Sequence, residues 1–252
     1  MSRTFLFDVD GTLTDARRNI DPKFEKFLLD FICKNNCMIV TGSDRPKTLE
    51  QIGLTLTNTF AKVYHCSGNH VYRSAVEIHR NPWQLTKEQI DFITQVLSDI
   101  DYPAKTGSHI EHRIGTANVS IVGRNANWEQ RAEYVKWEQV HQKRKLIAET
   151  YNNQFKDSFA QIAGETSIDI YKTGCDKSQV IKHQKGNTIY FGDNCFPGGN
   201  DWSVSQKATE YYQITEGYKQ TWELLKSFVD LPLAPTFSKK INNSNYYRNS
   251  SS

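Results

Sequence analysis

The chain carries the sequence TFLFDVDGT at residues 4–12, in which a short apolar run leads directly into a loop with two carboxylates. The apolar run predicts a buried strand, and Gly11 permits a tight turn after it. Asp8 and Asp10 lie two residues apart, so both can face one pocket and hold Mg²⁺ through hard oxygen ligands. Beside such an ion, Asp8 would serve as a nucleophile towards phosphorus and Asp10 would move protons on the attacking or leaving oxygen. For an isolated pair of this kind, a surface turn is the more common interpretation.

Strands and helices are predicted to alternate on the carboxyl side of this loop. A helix capped by Asp21 precedes a β-like run at 37–41, and a helix at 46–52 precedes a third run at 62–66. This alternation is typical of a parallel α/β sheet, which binds ligands at the carboxyl ends of its strands.

The pattern changes in the middle of the chain and then returns. An amphipathic helix is followed by a predicted antiparallel hairpin at 109–122, a long polar helix at 128–151 and a strand at 168–171. From residue 176 the strand–helix alternation resumes. The interruption predicts an α/β core divided in sequence, with an α+β unit inserted into it. The predicted ranges are 1–80 and 176–231 for the core, 81–175 for the inserted unit and 232–252 for a disordered tail.

Composition excludes several classes of protein. The 252 residues include 31 Lys and Arg against 28 Asp and Glu, a net charge of +3, which does not favour a dedicated nucleic-acid binder. No apolar run approaches the roughly 18 residues of a membrane-spanning helix. The first residues show no signal-peptide pattern, and the five cysteines do not suggest a secreted disulfide framework, so we expect a cytoplasmic protein.

Four motifs, each at a predicted strand end or helix start, resemble those of the haloacid-dehalogenase superfamily of phosphotransferases. They are DxDGT at 8–12, Ser43 after the second strand, Lys177, and the GD/ND pair at Asp193 and Asp201. The resemblance implies a Rossmannoid parallel-sheet core with an inserted cap. It also implies that Ser43 binds the transferred phosphate, that Lys177 pairs with it and with Asp8, and that Asp193 completes the Mg²⁺ site formed by Asp8 and Asp10. Positioned charges and donors of this kind stabilise a phosphoryl group in transfer.

The inserted segment narrows the resemblance to the eukaryotic-type phosphomannomutases. Their cap pattern ExRxGxxNVSxxGR matches residues 111–124, their SxD matches 167–169, and their PGGND matches 197–201. By this resemblance, seven residues would bind the substrate: Arg17, Arg113, Asn118, Arg124, Arg131, Ser167 and Asp169. The arginines would hold the phosphate that is not reacting, because guanidinium forks suit a dianion.

The resemblance implies interconversion of mannose 6-phosphate and mannose 1-phosphate through an aspartyl phosphate. A hexose 1,6-bisphosphate would be the activator and intermediate, Mg²⁺ the cofactor, and GDP-mannose synthesis the pathway supplied. The only ligand class expected is a sugar phosphate, with neither nucleic acid nor membrane as a partner and with possible dimerisation through the cap. Lys207 falls where the family has a carboxylate of a second cation site, so we expect that accessory site to be absent.

Three other interpretations remain at this stage. A sugar-phosphate phosphatase of the same fold needs only water at the phosphoaspartate. Basic and aromatic residues at 136–145 would fit a nucleic-acid or protein-binding module, but glutamates alternate with them, which favours a solvated helix face. His109 and His112 suggest a metal pair, although side chains alternate between the two faces of a strand, so the two imidazoles cannot readily share one ion.

Overall fold

Two β-sheets organise residues 2–229, the part of the chain that the computed structural model describes. The predicted tail at 232–252 lies outside these residues. The strands are β1 (Arg3–Phe7), β2 (Asn36–Val40), β3 (Lys62–His65), β4 (His70–Arg73), β5 (Val76–Arg80), β6 (Ile110–Arg113), β7 (Thr116–Ser120), β8 (Ser158–Ala163), β9 (Ser167–Lys172), β10 (Asn187–Gly192) and β11 (Glu210–Gln213). The α-helices are α1 (Pro22–Lys34), α2 (Arg45–Thr59), α3 (Lys87–Ser98), α4 (Trp128–His141), α5 (Lys143–Gln154), α6 (Trp202–Lys207) and α7 (Tyr218–Val229).

The larger sheet has seven strands in the order β11-β10-β1-β2-β3-β4-β5. The first five of these are mutually parallel, which confirms the predicted α/β class, while β4 and β5 add an antiparallel edge. Strand β1 lies between β2, which follows it in sequence, and β10, which comes from the far end of the chain. The strand order therefore reverses beside β1, and ligands of open α/β sheets bind at such a reversal.

Alternating side chains of β1 explain why this sheet is covered on both faces. Phe5 and Phe7 point into one apolar cluster with Phe24 of α1, whereas Leu6 points into a second cluster with Val40 on the opposite face. Successive residues of a strand face opposite sides, so a strand buried on both sides reads as a continuous apolar run. This burial fixes the end of β1 and, with it, the loop that begins at Asp8.

The smaller sheet is wholly antiparallel, in the order β6-β7-β9-β8, and belongs to the inserted segment. Its apolar cluster is separate from those of the larger sheet and includes Val119, Tyr134, Tyr151 and Ile168. The predicted hairpin is present, with Gly115 in the left-handed conformation at its turn. This segment of the chain thus has its own sheet and its own core.

The predicted polar helix over 128–151 is wrong as a single element. The chain breaks between α4 and α5 at Gln142, whose φ is +48°. The buried Glu138 carboxylate accepts hydrogen bonds from the backbone N–H groups of Lys143 and Arg144, at 3.2 and 2.9 Å. The side chain of one helix therefore caps the next, and the second helix can start in a new direction.

Two further elements differ from the sequence prediction. The segment Lys177–His183, where the strand–helix alternation was predicted to resume, is a 3₁₀ helix and not an α-helix. Strands β4 and β5 were missed, because all five residues of β5 are exposed and no apolar alternation marks them. Within residues 2–229, no helix has the length and apolar composition needed to cross a membrane.

Candidate active site

The carboxyl ends of the central strands bring the core motif residues together. Asp8 follows β1, Ser43 follows β2, and Asp193 follows β10, while Lys177 begins the 3₁₀ helix after the inserted segment. Asp8, Ser43 and Asp193 line one cavity, and the side chains of Asp8 and Ser43 are buried. Parallel strands end at one edge of the sheet, and this accounts for the meeting of residues that lie far apart in sequence.

A buried ion network surrounds Asp8. The Lys177 ammonium donates to Asp8 Oδ1 at 2.9 Å and to Asp201 Oδ1 at 2.6 Å, and the side chain of Lys177 is 1% exposed. The hydroxyl of Tyr190 also donates to Asp201, at 2.5 Å. Burial would lower the pKa of Lys177, but the carboxylates of Asp201 and Asp8 raise it well above its usual range, so the ammonium stays charged.

Three carboxylates crowd together at this point. Oxygen atoms of Asp8, Asp193 and Asp201 lie within 4.8 Å of one another, close enough to hold one metal ion. Burial, with the neighbouring carboxylates, raises the pKa of Asp8 to about 7 and that of Asp193 to about 8. Carboxylates packed so closely need a positive charge beyond Lys177, and hard oxygen donors suit Mg²⁺. The donor set therefore fits the ion that the sequence implied.

The side chain of Asp10 differs from its predicted place in the metal site. It does not belong to the acidic cluster found among residues 2–229. Its Oδ2 accepts from Lys47 Nζ at 2.6 Å and its Oδ1 accepts from Gln51 Nε2 and the Arg17 backbone N–H, both at 2.8 Å. Burial would raise the pKa of Asp10, but the Lys47 ammonium and these hydrogen bonds lower it. The result is an ionised carboxylate that lines the cavity.

Arginines of the inserted segment face the core residues across the cleft. The guanidiniums of Arg113 and Arg124 both bind the Glu111 carboxylate, at 2.6 and 2.9 Å, although they come from opposite sides of the β6–β7 hairpin. Arg131 of α4 and Arg17 of the core line the same cavity. Burial, with Arg17 close by, lowers the pKa of Arg131 to about 10. This convergence of guanidiniums is what a dianionic ligand requires.

Polar residues of the cap sheet form the rest of the cavity wall on the cap side. Asn118 donates to Asp169 Oδ1 at 2.7 Å and accepts from Arg124 at 3.0 Å, which links the two central cap strands to the arginine cluster. Ser167 lies on the same cavity wall. The core and cap residues proposed from the sequence thus line or border one cavity of about 240 Å³.

Among the contacts between cap and core near this cavity are two hydrogen bonds. Arg113 Nη1 donates to the carbonyl of Gly42 at 3.2 Å, and Gln161 Nε2 donates to the carbonyl of Gly199 at 2.6 Å. A Cβ added at Gly42 would lie 3.2 Å from an Asp169 carboxylate oxygen, so the two units approach closely there. The cleft is therefore held between them in a closed arrangement.

Three lining or neighbouring residues were not assigned a role from the sequence. Asp201 was recognised as part of a motif but not as a member of the acidic cluster. Lys47 lies one turn into α2, three residues after the helix cap Asp44, a position that points the ammonium back to the strand ends. Trp128 begins α4 and lines the cavity. For Trp128, no sequence pattern distinguished it from a core aromatic.

Gly123 provides a test of how the cap positions Arg124. Its φ is +85°, and an added Cβ would lie 1.8 Å from the carbonyl oxygen of Thr106. We expect Gly123→Ala to lower the free energy of unfolding by about 3 kcal/mol, from the left-handed backbone and the forced displacement together. Urea unfolding would measure this. Gly174→Ala is the control, since Gly174 has φ +83° with no atom within 4 Å, and it should cost only about 1 kcal/mol. Equal costs would show that the close approach at Gly123 has no energetic effect.

The sequence of the chain is similar to a known protein family and to individual proteins. Residues 24–229 match the sequence model of a family described as eukaryotic phosphomannomutase. A phosphomannomutase of Saccharomyces cerevisiae is 35% identical over 214 residues, covering 79% of this chain and 83% of the relative. A phosphomannomutase of Solanum lycopersicum is also 35% identical over 214 residues, with coverage of 79% and 83%.

A solved structure of similar fold is the C-terminal domain of trehalose-6-phosphate phosphatase from C. albicans. Its TM-score is 0.62 at 15% identity, and the match covers 92% of this chain and 93% of that chain. At this identity the likeness concerns the fold alone, and it agrees with an α/β core built on a mostly parallel sheet.

Proposed function

Because the chain belongs to the eukaryotic phosphomannomutase family, we propose that it is a phosphomannomutase, interconverting mannose 6-phosphate and mannose 1-phosphate. One observation carries the proposal. Asp8 and Lys177 form a phosphate-transfer centre on the core side of the cleft, and Arg113, Arg124 and Arg131 form a guanidinium cluster on the cap side. A hydrolase needs only the first of these, whereas an enzyme that works on a sugar with two phosphates must hold both ends.

The reaction proceeds through two transfers. Asp8 begins phosphorylated, and the sugar hydroxyl attacks its phosphorus while Asp10 takes the hydroxyl proton. The bond from phosphorus to Asp8 breaks, leaving a hexose 1,6-bisphosphate and a free Asp8 carboxylate. The bisphosphate then turns over in the cleft, Asp8 attacks its other phosphorus, and Asp10 returns the proton to the departing sugar oxygen. The Lys47 ammonium, 2.6 Å from Asp10, keeps that carboxylate ionised before the transfer, and only the ionised form can take the proton.

Individual side chains hold the groups in place during each transfer. Ser43 lies beside Asp10 and offers its hydroxyl to the phosphoryl oxygens, while Lys177 offsets their charge. Asp8, Asp193 and Asp201 would hold Mg²⁺, which when bound supplies positive charge to the phosphoryl oxygens. The guanidiniums of the cap hold the idle phosphate, and Ser167 and Asp169 meet the sugar hydroxyls between the two ends.

The setting of the reaction is also part of the proposal. We propose that a hexose 1,6-bisphosphate primes the enzyme, that the protein is cytoplasmic, and that its product feeds GDP-mannose synthesis. Its ligand would be a small sugar phosphate, with neither nucleic acid nor membrane as a partner. A dimer through the cap would leave the cleft free, since the cleft lies between cap and core.

Phosphorus NMR tests the proposed activity directly. Mannose 1-phosphate would be followed with Mg²⁺, with and without added glucose 1,6-bisphosphate. Stoichiometric mannose 6-phosphate, formed faster with the bisphosphate, supports the mutase. Free phosphate as the sole product would reject it in favour of a sugar-phosphate phosphatase.

Arg124→Ala tests the role of the cap arginines. Loss of a charge-assisted contact to phosphate, worth about 1.5–3 kcal/mol, should raise KM by about 10- to 100-fold. The turnover number should change less, because Arg124 would hold the phosphate that is not reacting. Steady-state kinetics would measure both, with Arg73→Ala on the exposed end of β4 as the control. An unchanged KM for Arg124→Ala would argue against phosphate binding by this residue.

A further inference from the structure

A contact between Arg18 of the core and Trp128 of the cap lies beside the cleft. The Arg18 guanidinium carbon lies 5.0 Å from the centre of the Trp128 ring, within the range of a cation–π interaction. Arg18 follows the catalytic loop of the core, and Trp128 begins helix α4 of the cap. We call this pair the rim latch. It joins core and cap through side chains that have no place in the transfer chemistry described above.

The rim latch is built on a fixed position in the cap. Asn127 caps α4 with a reciprocal pair of hydrogen bonds to Gln130, at 2.9 and 3.0 Å, which anchors the first turn of the helix. Trp128 and Arg131 are three residues apart and therefore lie on the same side of α4. The indole remains 55% exposed although it lines the cleft. The anchored first turn of α4 thus places the indole ring at the cavity, where it covers the opening without belonging to the apolar core of the cap.

Trp128 also borders two neighbouring cavities. It lines the cavity of about 240 Å³ above Asp8 and a neighbouring one of about 520 Å³. The second cavity shares Arg17, Arg113, Arg124 and Arg131 with the first but also has Glu50 and Glu111 in its walls. Any ligand that moved between the two cavities would move beside residues that line both, and the indole ring is one of them. The guanidiniums common to both would favour an anion along that path.

The positive charges on both sides of the cleft give a contact between core and cap at this rim a purpose. Arg17 of the core and Arg131 of the cap repel each other across the cleft, and the repulsion contributes to the lowered pKa of Arg131. When no sugar phosphate occupies the cleft, this repulsion favours its opening. A cation–π contact joins core to cap without another negative charge, which would compete with phosphate for the same arginines.

We propose that the rim latch of Arg18 and Trp128 keeps the hexose bisphosphate and the phosphoaspartate inside the closed cleft, and so sets the ratio of phosphoryl transfer to hydrolysis. The inference rests on the proposed mutase function. An open rim has two consequences: the bisphosphate leaves before its second transfer, or water enters. In the second case a water oxygen bonds to phosphorus, the bond to Asp8 breaks, and inorganic phosphate leaves with the Asp8 carboxylate restored.

Variants at both positions test the latch. We expect Arg18→Ala and Trp128→Ala each to raise two quantities by about two- to fivefold, the factor that an exposed cation–π contact supplies. One is the concentration of glucose 1,6-bisphosphate that gives half-maximal activity. The other is the ratio of inorganic phosphate to mannose 6-phosphate formed. Arg18→Lys and Trp128→Phe keep a cation and a ring, and both should stay near the wild-type values.

The double variant distinguishes a latch from two independent effects. Arg18→Ala with Trp128→Ala should equal the larger single effect, because one contact is lost only once. Lys226→Ala is the matched control, since Lys226 lies over Trp222 at the same 5.0 Å but belongs to helix α7. Thermal unfolding of all variants should show that the fold is retained, as Arg18 and Trp128 are both exposed.

The outcomes separate this proposal from the proposed function. Wild-type protein that releases only free phosphate would reject the mutase. Wild-type protein that forms mannose 6-phosphate, with both alanine variants matching Lys226→Ala, would reject the latch alone. A double variant that multiplies the two single effects would also reject it.

Discussion

The Asp8→Asn variant is expected to lose mutase activity by at least about four orders of magnitude, because an amide does not attack phosphorus as a carboxylate does. The fold should survive. The amide is of similar shape to the carboxylate and its oxygen can still accept from Lys177. Burial and the neighbouring carboxylates already raise the pKa of Asp8 to about 7, so removal of this negative charge relieves crowding. The free energy of unfolding should therefore be unchanged or higher.

Two measurements check this expectation. The first is turnover of mannose 1-phosphate, and the second is incorporation of acid-stable, base-labile phosphate from radiolabelled glucose 1,6-bisphosphate into the protein. Asp15→Asn is the control, because Asp15 is an exposed carboxylate in the same segment after β1. It should keep both activity and labelling. An Asp8→Asn protein that still turned over, or still took up label, would refute the assignment of the nucleophile.

The Lys177→Met variant is expected to lose both activity and stability. Its ammonium is the shared partner of Asp8 and Asp201, and all three side chains are buried, with Asp201 0% exposed. Removal of one partner from a buried ion network leaves charges uncompensated, at a cost of about 3–5 kcal/mol. A protein whose free energy of unfolding has the ordinary value of roughly 5–15 kcal/mol would keep only part of that stability. Activity would fall as well, because no ammonium would meet the phosphoryl oxygens.

Urea unfolding and thermal unfolding would measure the stability change. Lys182→Met is the matched control, since Lys182 lies in the same 3₁₀ helix but is exposed, and it should change stability by less than about 0.5 kcal/mol. Lys177→Met combined with Asp201→Asn should recover part of the loss by removing one unpaired carboxylate. If Lys177→Met were as stable as Lys182→Met, the buried network would not support the fold as described.

The alternation of elements was readable because burial leaves a pattern in sequence. Strand β1 is covered on both faces and reads as an unbroken apolar run, and helix α1 carries its buried phenylalanines on one stripe behind the Asp21 cap. Both predictions were confirmed. Strand β5 is exposed along its length, so nothing in its composition marked it. The break at Gln142 was missed because it depends on Glu138 accepting from the next helix, a contact that has no local pattern.

The candidate site, like the fold, has a part that the sequence predicted and a part that it did not. The resemblance of the motifs to those of a known family was enough to name Asp8, Lys177 and Asp193, and Asp8 and Asp193 meet because parallel strands end at one edge of the sheet. The use made of each carboxylate could not be predicted. Asp10 binds Lys47 and Gln51 and lies outside the acidic cluster, while Asp201 lies within it. Which oxygen faces which partner depends on side chains from other elements, and a spacing pattern contains no such information.

The amino-acid sequence determined the class of the fold, and its alternation of elements predicted an α/β core interrupted by an inserted α+β unit. Both follow from hydrophobic periodicity and from the order of elements along the chain, whereas the residues of the candidate site were named from the resemblance of their motifs to those of a known family. Only the tertiary structure decided the pairing of Lys177 with both Asp8 and Asp201, the closed approach of Gly42 to Asp169, and the meeting of Arg18 with Trp128. Each of these joins segments far apart in sequence, and their distances are set by how the elements of the core pack together and by how core and cap pack against each other.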